Sequence, residues 1–391
     1  MTTNKNHNSP NVPNSTDKGN KIRNVPALRF PEFTEEWENH VLQDTVTFSN
    51  GKAHENCVNE DGDYILVNSK FVSTNGQIQK RVTSQLSPLC KSQFVMVMSD
   101  LPNGKALAKC YYIEEDNKFT LNQRICSFSA KNGNISKFLM YQINRNKYYM
   151  RFDDGINQTN LKKNEVLSCP VFIPSIKEQE KIATLLHLID ERIATQNKII
   201  EDLKKLKSAI SKKLLCNDKW TTYKIQDIAE IGRGRVISSV EIDRQKHPLY
   251  PVYSSQTSND GIMGYLDSYM FDGEYITWTT DGANAGTVFY RKGKFNCTNV
   301  CGTLKIQPKF DCYFVSLVLQ QATQKYVSSN LANPKLMNNT MASIKIRMPN
   351  IETQKQLSKV FQTLDSCLLV HQRTCKMYLS EKQYLLCQMF I

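Results

Sequence analysis

The chain has 391 residues, which is longer than one typical domain and predicts two or three folded units. Hydrophobic residues make up 40% of the chain, yet no run of about twenty apolar residues occurs, which excludes a membrane-spanning helix. The net charge of +13 at pH 7 favours a polyanionic partner, because lysine and arginine displace the counterions condensed on phosphates.

The 12 cysteines are scattered and include no Cys-x-x-Cys pair, which argues against a zinc ribbon or a redox pair. Cys297, Cys301 and Cys312 lack the two matched ligand pairs of a zinc site, so no metal is predicted. Free thiols and an N-terminus without an apolar signal segment predict a cytoplasmic protein.

Residues 1–25 are rich in asparagine and nearly devoid of apolar side chains. A segment of this composition buries too little apolar surface to offset its ordering entropy, so it is predicted to be a disordered tail. The folded chain is predicted to begin at Pro26.

The two central parts of the chain have a mixed composition. Runs of β-forming residues bounded by turn residues predict strands at Phe94–Met98, Lys109–Ile113 and Glu274–Trp278. Apolar segments at Phe138–Ile143 and Val315–Gln320 predict short helices. Asp153 and Asp154 precede a glycine, which favours a tight turn over a metal site.

An internal repeat organises the chain. Ile173–Gln179 and Met348–Gln354 share a proline and a glutamine at a separation of 175 residues. Each segment follows a strand-like run and precedes a long helix-like one, and proline is common where a strand ends and the chain turns. Weaker matches occur earlier, where Trp37 and Trp220 lie 183 residues apart, as do Gly51 and Gly234.

Each copy of the repeat ends in a long amphipathic helix with apolar residues at alternating steps of four and three. The predicted coiled-coil seam comprises Ile182, Leu186, Ile189, Ile193, Ile200, Leu203 and Ile210 in the first helix, and Leu357, Phe361, Leu364, Leu368, Tyr378 and Leu385 in the second. The polar interruptions also coincide, with Gln196 matching His371 and Lys207 matching Lys382. These polar residues either fix the register or lie solvated at the edge of the seam.

A seam of this kind needs a partner, because an exposed apolar stripe is unfavourable. The other helix of the same chain is the expected partner, in an antiparallel pair, although another protein is the alternative. A helix of roughly 40 residues is about 60 Å long. Such a pair could act as a spacer for two readers placed about one DNA turn (~34 Å), or a multiple of it, apart.

We therefore predict an α+β fold with two mixed α/β domains, each followed by a long helix, and with the two helices pairing as an antiparallel coiled coil. The predicted ranges are 1–25 for the tail, 26–175 for the first domain, 176–216 for the first helix, 217–350 for the second domain and 351–391 for the second helix.

Known catalytic motifs are not found. Asn333-Pro334-Lys335-Leu336 lacks the second proline and the aromatic residue of an adenine methyltransferase loop. Gly51-Lys52-Ala53 and Gly104-Lys105-Ala106 do not satisfy the phosphate-loop pattern, and Gly232-Arg233-Gly234 lacks dinucleotide spacing. Together with the duplication and the charge, this favours a binding protein over an enzyme.

The chain resembles the specificity subunit of type I restriction–modification systems. The resemblance rests on Pro26–Phe33, on Trp37 and on Ile173–Ile182 followed by Asp190. The second copy keeps the proline and Gln354, and its Asp365 matches Asp190. The likeness covers essentially the whole chain after the tail.

The resemblance implies two target-recognition domains, each reading one part of a split target in double-stranded DNA, with the helices setting the gap. It implies that modification subunits supply the S-adenosylmethionine site and methylate adenine. It also implies that restriction subunits add ATP- and magnesium-dependent translocation and cleavage. On this basis the chain itself holds no cofactor or metal, is not an enzyme and does not bind a membrane.

Lysine and arginine on loops are expected to contact phosphates. The predicted phosphate contacts are Lys70, Lys80, Arg81, Lys105, Arg124 and Arg151 in the first domain, and Arg233, Arg235, Arg291, Lys292 and Lys335 in the second. Base edges need paired donors and acceptors, which nominates Gln158, Asn160, Asn333 and Lys335 in two loops at matching places. For each single residue the alternative is a solvated charge or a turn-forming role.

Two rival functions remain at this stage. One is a self-contained DNA methyltransferase or nuclease with degenerate motifs, which would show activity without partners. The other is a coiled-coil adapter with no DNA role, which would show little salt-dependent affinity for DNA.

Overall fold

The structure is a computed structural model that describes residues 24–102, 104–215, 217–328 and 333–391. The predicted tail lies outside the described residues up to residue 23, whereas the Asn24 carbonyl accepts a hydrogen bond from the Trp37 amide. Contacts divide the chain into two compact units. Unit 1 ends at Ala194 and also includes Lys376–Ile391, and unit 2 comprises Thr195–Cys375.

Unit 1 contains a series of short strands and helices, followed by the first half of a long helix. Its strands are β1 Glu38–Val41, β2 Val46–Asn50, β3 Tyr64–Val67, β4 Arg81–Val82, β5 Phe94–Val97, β6 Ser99–Asp100, β7 Cys110–Tyr112, β8 Phe119–Leu121, β9 Ile125–Ala130, β10 Thr159–Asn160 and β11 Pro170–Ile173. Its helices are α1 Leu42–Thr45, α2 Ser69–Ser73, α3 Ser136–Ile143, α4 Lys147–Met150, α5 Lys163–Leu167 and the start of α6 Ile176–Leu214, with a 3-10 turn at Glu55–Cys57.

Unit 2 contains a second series of the same kind. Its strands are β12 Thr221–Lys224, β13 Ala229–Arg233, β14 Tyr250–Tyr253, β15 Ile262–Leu266, β16 Glu274–Thr279, β17 Val288–Lys292, β18 Asn296–Cys297, β19 Cys301–Ile306 and β20 Lys345–Met348. Its helices are α7 Ile225–Ile228, α8 Ser239–Asp243, α9 Cys312–Ala322, α10 Asn338–Ser343 and most of α11 Ile351–Gln388, with 3-10 turns at Ser258–Gly261 and Thr323–Tyr326.

The sheets of the two units have matching topologies. The four-stranded sheet β2–β9–β5–β7 of unit 1 corresponds to β13–β19–β16–β17 of unit 2. The three-stranded sheet β4–β3–β8 corresponds to β15–β14–β18, and the pair β1–β11 corresponds to β12–β20. The duplication predicted from the proline–glutamine match, the helix seams and the weaker matches near Trp37 and Trp220 therefore extends through the whole domain, and the predicted α+β class is confirmed.

The matching glycines lie where two chain segments cross closely. A Cβ at Gly51 would lie 2.0 Å from the Asn122 carbonyl oxygen, and a Cβ at Gly234 would lie 2.1 Å from the Cys297 carbonyl oxygen. Both approaches are far inside van der Waals contact, so a side chain cannot be accommodated without moving backbone.

A buried glutamine joins the start of each long helix to the domain before it. Gln179 accepts a hydrogen bond from the Ile135 amide at 2.9 Å and donates to the Pro174 carbonyl at 3.0 Å. In unit 2, Gln354 accepts from the Asp311 amide at 3.0 Å and donates to the Pro349 carbonyl at 2.8 Å. The shared proline and glutamine are therefore explained by one contact made twice.

In unit 1 the N-terminal motif is also tied to helix α6. Arg29 forms two hydrogen bonds of 2.7 Å with the carboxylate of Glu178, which is 1% exposed. This bidentate pairing neutralises a buried carboxylate, which would otherwise be costly, and it raises the pKa of the Arg29 guanidinium.

Within unit 1, the end of α11 packs against the start of α6. Ile182 and Leu186 share a buried core with Met389, Trp37 and Phe138. Lys382 donates to Asp190 at 2.6 Å, and the Tyr141 hydroxyl donates to the other oxygen of Asp190 at 2.8 Å.

Within unit 2, the second half of α6 packs against the first part of α11. Ile210 of α6 packs against the core of this unit, which includes Phe361 of α11. Gln196 contacts His371, whereas Lys207, later in α6, pairs with Asp365, earlier in α11. The two helices therefore run in opposite directions.

The predicted seam residues are buried or half-buried in the structure. The helices lie inside the predicted ranges 176–216 and 351–391. The compact units nevertheless cut across the predicted domain ranges, because each globular part completes its core with residues of both helices. In the described part of the chain, no helix is long and apolar enough to span a bilayer.

Candidate nucleic-acid interface

In unit 2, a polar cluster lies at the end of strands β13 and β16. The Arg233 guanidinium donates to Thr280 Oγ1 at 3.0 Å, to Asp281 Oδ2 at 3.2 Å and to the Asn299 carbonyl. Thr280 Oγ1 also donates to Asp281 at 2.7 Å. Strand β19 lies between β13 and β16, and its Gly302 pairs with Arg233 on one side and with Trp278 on the other. This pairing places Arg233 beside the end of β16, where Thr280 and Asp281 follow.

Two predicted base-reading residues lie beside this cluster. Lys335 pairs with Asp281 through a single β-bridge, and Lys335 Nζ lies 3.9 Å from Asp281 Oδ1. The exposed Asn333 side chain lies next to Gly282, since a Cβ there would be 3.9 Å from Asn333 Oδ1. The structure thus brings Arg233, Asn333 and Lys335 together on one surface.

Unit 1 has a polar cluster at the equivalent place. Strand β10 pairs with β6, with Asn160 opposite Ser99. Ser99 Oγ donates to Asn160 Oδ1 at 2.6 Å, and Gln158 Nε2 donates to Ser99 Oγ at 2.8 Å. In both units, a predicted base-reading residue therefore pairs with a polar residue that follows an inner strand of the four-stranded sheet. Asn160 pairs with Ser99 after β5, and Lys335 pairs with Asp281 after β16.

The turn after β6 is organised by Asp100. Its carboxylate accepts hydrogen bonds from the amides of Ala106 at 2.6 Å and Leu107 at 3.0 Å. The exposed Lys105 belongs to the same turn. Arg124, with a left-handed φ of 66°, lies close by, because its carbonyl accepts from the Met98 amide.

Arg235 directly follows the close approach of Gly234 and forms an ion pair with Glu241. One of its two hydrogen bonds to that carboxylate is 2.9 Å long. The pairing lowers the pKa of Glu241 and raises that of Arg235. Arg235 is exposed and Glu241 is half-buried, so a phosphate can compete for the guanidinium.

Other predicted phosphate contacts lie elsewhere in the units. Lys70 and Lys80 are exposed in the segment between β3 and β4, and Arg81, in β4, donates to the Gly62 carbonyl. Arg151 lies over the Tyr148 ring at 4.0 Å. Lys292 pairs with Glu274, at the opposite end of β16 from Asp281.

The prediction that Arg291 contacts phosphate conflicts with its burial. The residue is 6% exposed, and its guanidinium lies 3.6 Å from the centre of the Tyr253 ring and 4.4 Å from that of Phe289. Burial lowers the pKa of the guanidinium. An alternating strand places every second residue inward, and the sequence of β17 gave no polar–apolar alternation that identified Arg291 as one of them.

Several residues of the interface were not predicted. Asp281, Thr280 and Ser99 carry the contacts above. In unit 1, Leu101 follows Asp100 and Ile156 precedes Gln158 by two residues, and these aliphatic side chains are 69% and 80% exposed. Each of the polar residues directly follows a run of β-forming residues, which is the one signal that could have located them.

The arrangement supplies hydrogen-bond donors, acceptors and cations on two surfaces of similar construction. Such groups can bind phosphates and base edges. Among the described residues, no group of three or more His, Cys, Asp or Glu side chains is placed to hold a metal ion.

The model of the type I restriction modification DNA specificity domain matches the chain twice, at residues 34–205 and 217–376. The chain belongs to this family. The two matches coincide with the two copies of the repeat and confirm the resemblance that the sequence motifs indicated. Specificity subunits are the non-catalytic members of their systems.

Relatives with this domain occur in Mycoplasma pneumoniae. A type I specificity subunit of that organism is 40% identical over 194 residues, covering 49% of this chain and 81% of the relative. The specificity subunit of the type I restriction enzyme MpnII is 43% identical over 145 residues, covering 37% of this chain and 43% of that subunit.

Solved structures from type I restriction–modification systems share the fold. The S subunit of a type I restriction–modification system from M. genitalium superposes with a TM-score of 0.70, covering 94% of this chain and 99% of that one at 17% identity. A chain from a structure of type I complex assembly superposes with a TM-score of 0.51 at 13% identity, covering 91% and 97%.

Proposed function

We propose that this specificity-domain chain reads a bipartite sequence in double-stranded DNA and directs partner subunits to it. The observation that carries the proposal is that one chain builds the same kind of polar surface twice, around Ser99 and Asn160 in unit 1 and around Asp281 and Lys335 in unit 2. Two readers in one chain require a target with two parts.

The chemistry of the residues supports this division of roles. Arg233, Arg235 and Lys105 supply cations on the surface, which contribute affinity for any sequence. Gln158, Asn160 and Asn333 carry amides, which pair with adenine and other base edges in the major groove. The carboxylates of Asp281 and Glu241 hold the two arginines in place before DNA binds.

We propose that the reaction itself is carried out by partner subunits. Modification subunits would bind S-adenosylmethionine and methylate adenine, and restriction subunits would use ATP and magnesium. The paired helices α6 and α11 would then set the gap between the two parts of the target.

Mapping methylated adenines in cells with and without this chain tests the proposal. We expect a split motif that disappears when the chain is deleted and returns when it is supplied again. A methylation map that does not depend on the chain would overturn the proposal, as would methyl transfer by the purified chain alone.

A further inference from the structure

The two units differ in the segment that connects the first two strands of the three-stranded sheet. In unit 1, residues 68–80 connect β3 to β4, and in unit 2, residues 254–261 connect β14 to β15. The strands on either side correspond in the matching three-stranded sheets. The connections themselves differ, because the first contains helix α2 and the second contains a 3-10 turn. These segments are named loop 1 and loop 2.

Loop 2 has an unusual backbone that its surroundings hold in place. Asn259 and Asp260 are both left-handed, with φ of 49° and 54°, and Gly261 follows with φ of 81°. The buried Arg291 donates to the Asp260 carbonyl at 2.7 Å and to Thr277 Oγ1 at 3.3 Å. Consecutive left-handed residues are costly and persist only where other contacts fix them.

Loop 2 is continuous with the polar cluster of unit 2. Asn284 lies in the turn that follows Asp281, and its amide donates to the Ser255 carbonyl at 3.1 Å. Thr257, Ser258 and Asn259 are exposed beyond this contact. The loop therefore extends the surface formed by Arg233, Asp281 and Lys335 with uncharged polar side chains.

Loop 1 is also held by a cationic side chain that donates to a backbone carbonyl of the loop. Lys109, just before strand β7, donates to the Ser73 carbonyl at 2.8 Å, and burial lowers the pKa of its amine. Lys109 follows the turn that Asp100 organises, so the loop adjoins the polar cluster of unit 1. Beyond this anchor, Asn75 is exposed and left-handed, with φ of 51°.

We infer that loops 1 and 2 read base edges, with Asn75 and Asn259 as specificity-determining residues and with Lys109 and Arg291 as the residues that position them. The inference rests on the proposed function. If the two parts of a split target differ in sequence, the elements that read them must differ between the repeats, whereas phosphate contacts need not. The loops combine that divergence with exposure, amide groups and a fixed backbone.

The test is a set of asparagine-to-glycine variants in the full chain, assembled with the modification subunits of its own system. Glycine accepts a left-handed φ, so Asn75→Gly and Asn259→Gly remove the amide without straining the backbone. Asn259→Gly also removes a 3.4 Å hydrogen bond that the Asn259 amide donates to the Ile262 carbonyl. Asn132→Gly is the matched control, because Asn132 is exposed with φ of 55° and lies beyond the opposite end of β9 from the cluster. Genomic DNA is methylated by each complex, and the methylated motif is mapped.

We expect Asn75→Gly to relax one part of the motif and Asn259→Gly to relax the other. The preference at one base pair should fall by about 10- to 100-fold in each case. The Asn132→Gly complex should give the wild-type motif.

The outcomes separate this inference from the proposed function. A wild-type complex that gives no split motif would contradict the proposed function itself. A wild-type motif retained by both loop variants, both variants relaxing the same part, or an equal change in Asn132→Gly would overturn the inference alone.

The positioning role of Arg291 is tested separately, by mapping the motif methylated by complexes that carry Arg291 variants. Arg291→Met should relax the same part of the motif as Asn259→Gly, and Arg291→Lys, which retains a donor, should largely restore it. Relaxation of both parts by Arg291→Met, or no rescue by lysine, would rule out a role through loop 2.

Discussion

Gln196 and His371 occupy equivalent positions of the internal repeat and contact each other, with His371 Nδ1 2.7 Å from Gln196 Oε1 at a separation of 175 residues. The same separation relates Asp190 to Asp365 and Lys207 to Lys382. These residues exchange partners, because Lys382 pairs with Asp190 and Lys207 pairs with Asp365. Each polar interruption of the seam therefore has a polar partner on the other helix, which is how such residues specify register.

The Asp190–Lys382 pair should contribute measurably to the stability of unit 1. It is partly buried and shares Asp190 with the Tyr141 hydroxyl, so removing either partner leaves a poorly solvated group. A double-mutant cycle with Asp190→Asn and Lys382→Met, measured by urea unfolding, should give a coupling energy of about 1 kcal/mol.

The exposed pair Glu201–Lys205 on the same helix is the control for that cycle, since its side chains are 65% and 69% exposed. Its coupling energy should be about 0.5 kcal/mol or less. Equal coupling in the two pairs would show that the matched polar residues have no special role.

The glutamines at the helix starts should be important for stability in both units. Gln179→Ala and Gln354→Ala leave a partly buried backbone amide without its acceptor, so each should lower the free energy of unfolding by about 1–3 kcal/mol. Urea denaturation of Gln356→Ala, an exposed neighbour in α11, supplies the comparison and should show less than about 0.5 kcal/mol. A loss in Gln356→Ala as large as in the other two would contradict the assigned contacts.

Arg233 and Arg235 should contribute to the salt dependence of DNA binding. Replacing both with glutamine should reduce the slope of log affinity against log salt by about 0.9 for each lost phosphate contact. Filter binding across a salt series measures the slope. Asp281→Asn should act in the opposite direction, because it removes a negative charge beside Arg233 and Lys335.

Lys309→Gln is the matched control for these variants. Lys309 is exposed beyond the far end of β19 from Arg233 and carries the same charge. Its slope should equal that of the wild-type chain. An unchanged slope in Arg233→Gln with Arg235→Gln would remove these two residues from the interface.

Buried thiols should make the fold sensitive to alkali. Burial raises the pKa of Cys169 and Cys301 to about 11 from an ordinary value of about 9. The folded chain holds these protons more tightly than the unfolded chain, so their contribution is complete below pH 9 and is lost as the pH rises toward 11. The loss at pH 10 should be on the order of 1 kcal/mol for each thiol.

Urea midpoints at pH 7 and pH 10 measure this effect, and a variant with Cys169→Val and Cys301→Val isolates it from other groups. The decrease between the two pH values should be smaller in the variant. Identical decreases in the variant and the wild-type chain would contradict the role of the two thiols.

The sequence alone predicted the parts of this protein that depend on local periodicity and on duplication. The heptad steps located both long helices to within a few residues, and the matches at Pro174 and Pro349 identified the repeat. Runs of β-forming residues located β5, β7 and β16. These features are encoded by residues close to one another in the chain.

The candidate site could be predicted only in part. Gln158, Asn160, Asn333 and Lys335 lie in the polar clusters of their units, but their partners Ser99 and Asp281 were not found. Those partners are brought in by strand pairing between distant segments. Arg291 was assigned to the surface because its side chain is charged, and only the packing of β17 against Tyr253 shows that it lies inside.

The sequence by itself therefore determined the family, the duplication and the two long helices, since each is visible as a repeated pattern along the chain. That the helices pair with each other was decided by the tertiary structure. The tertiary structure decided which loops adjoin the polar clusters and which cations hold them. Register between strands that are far apart in sequence fixes those contacts, and a single sequence carries no direct record of it.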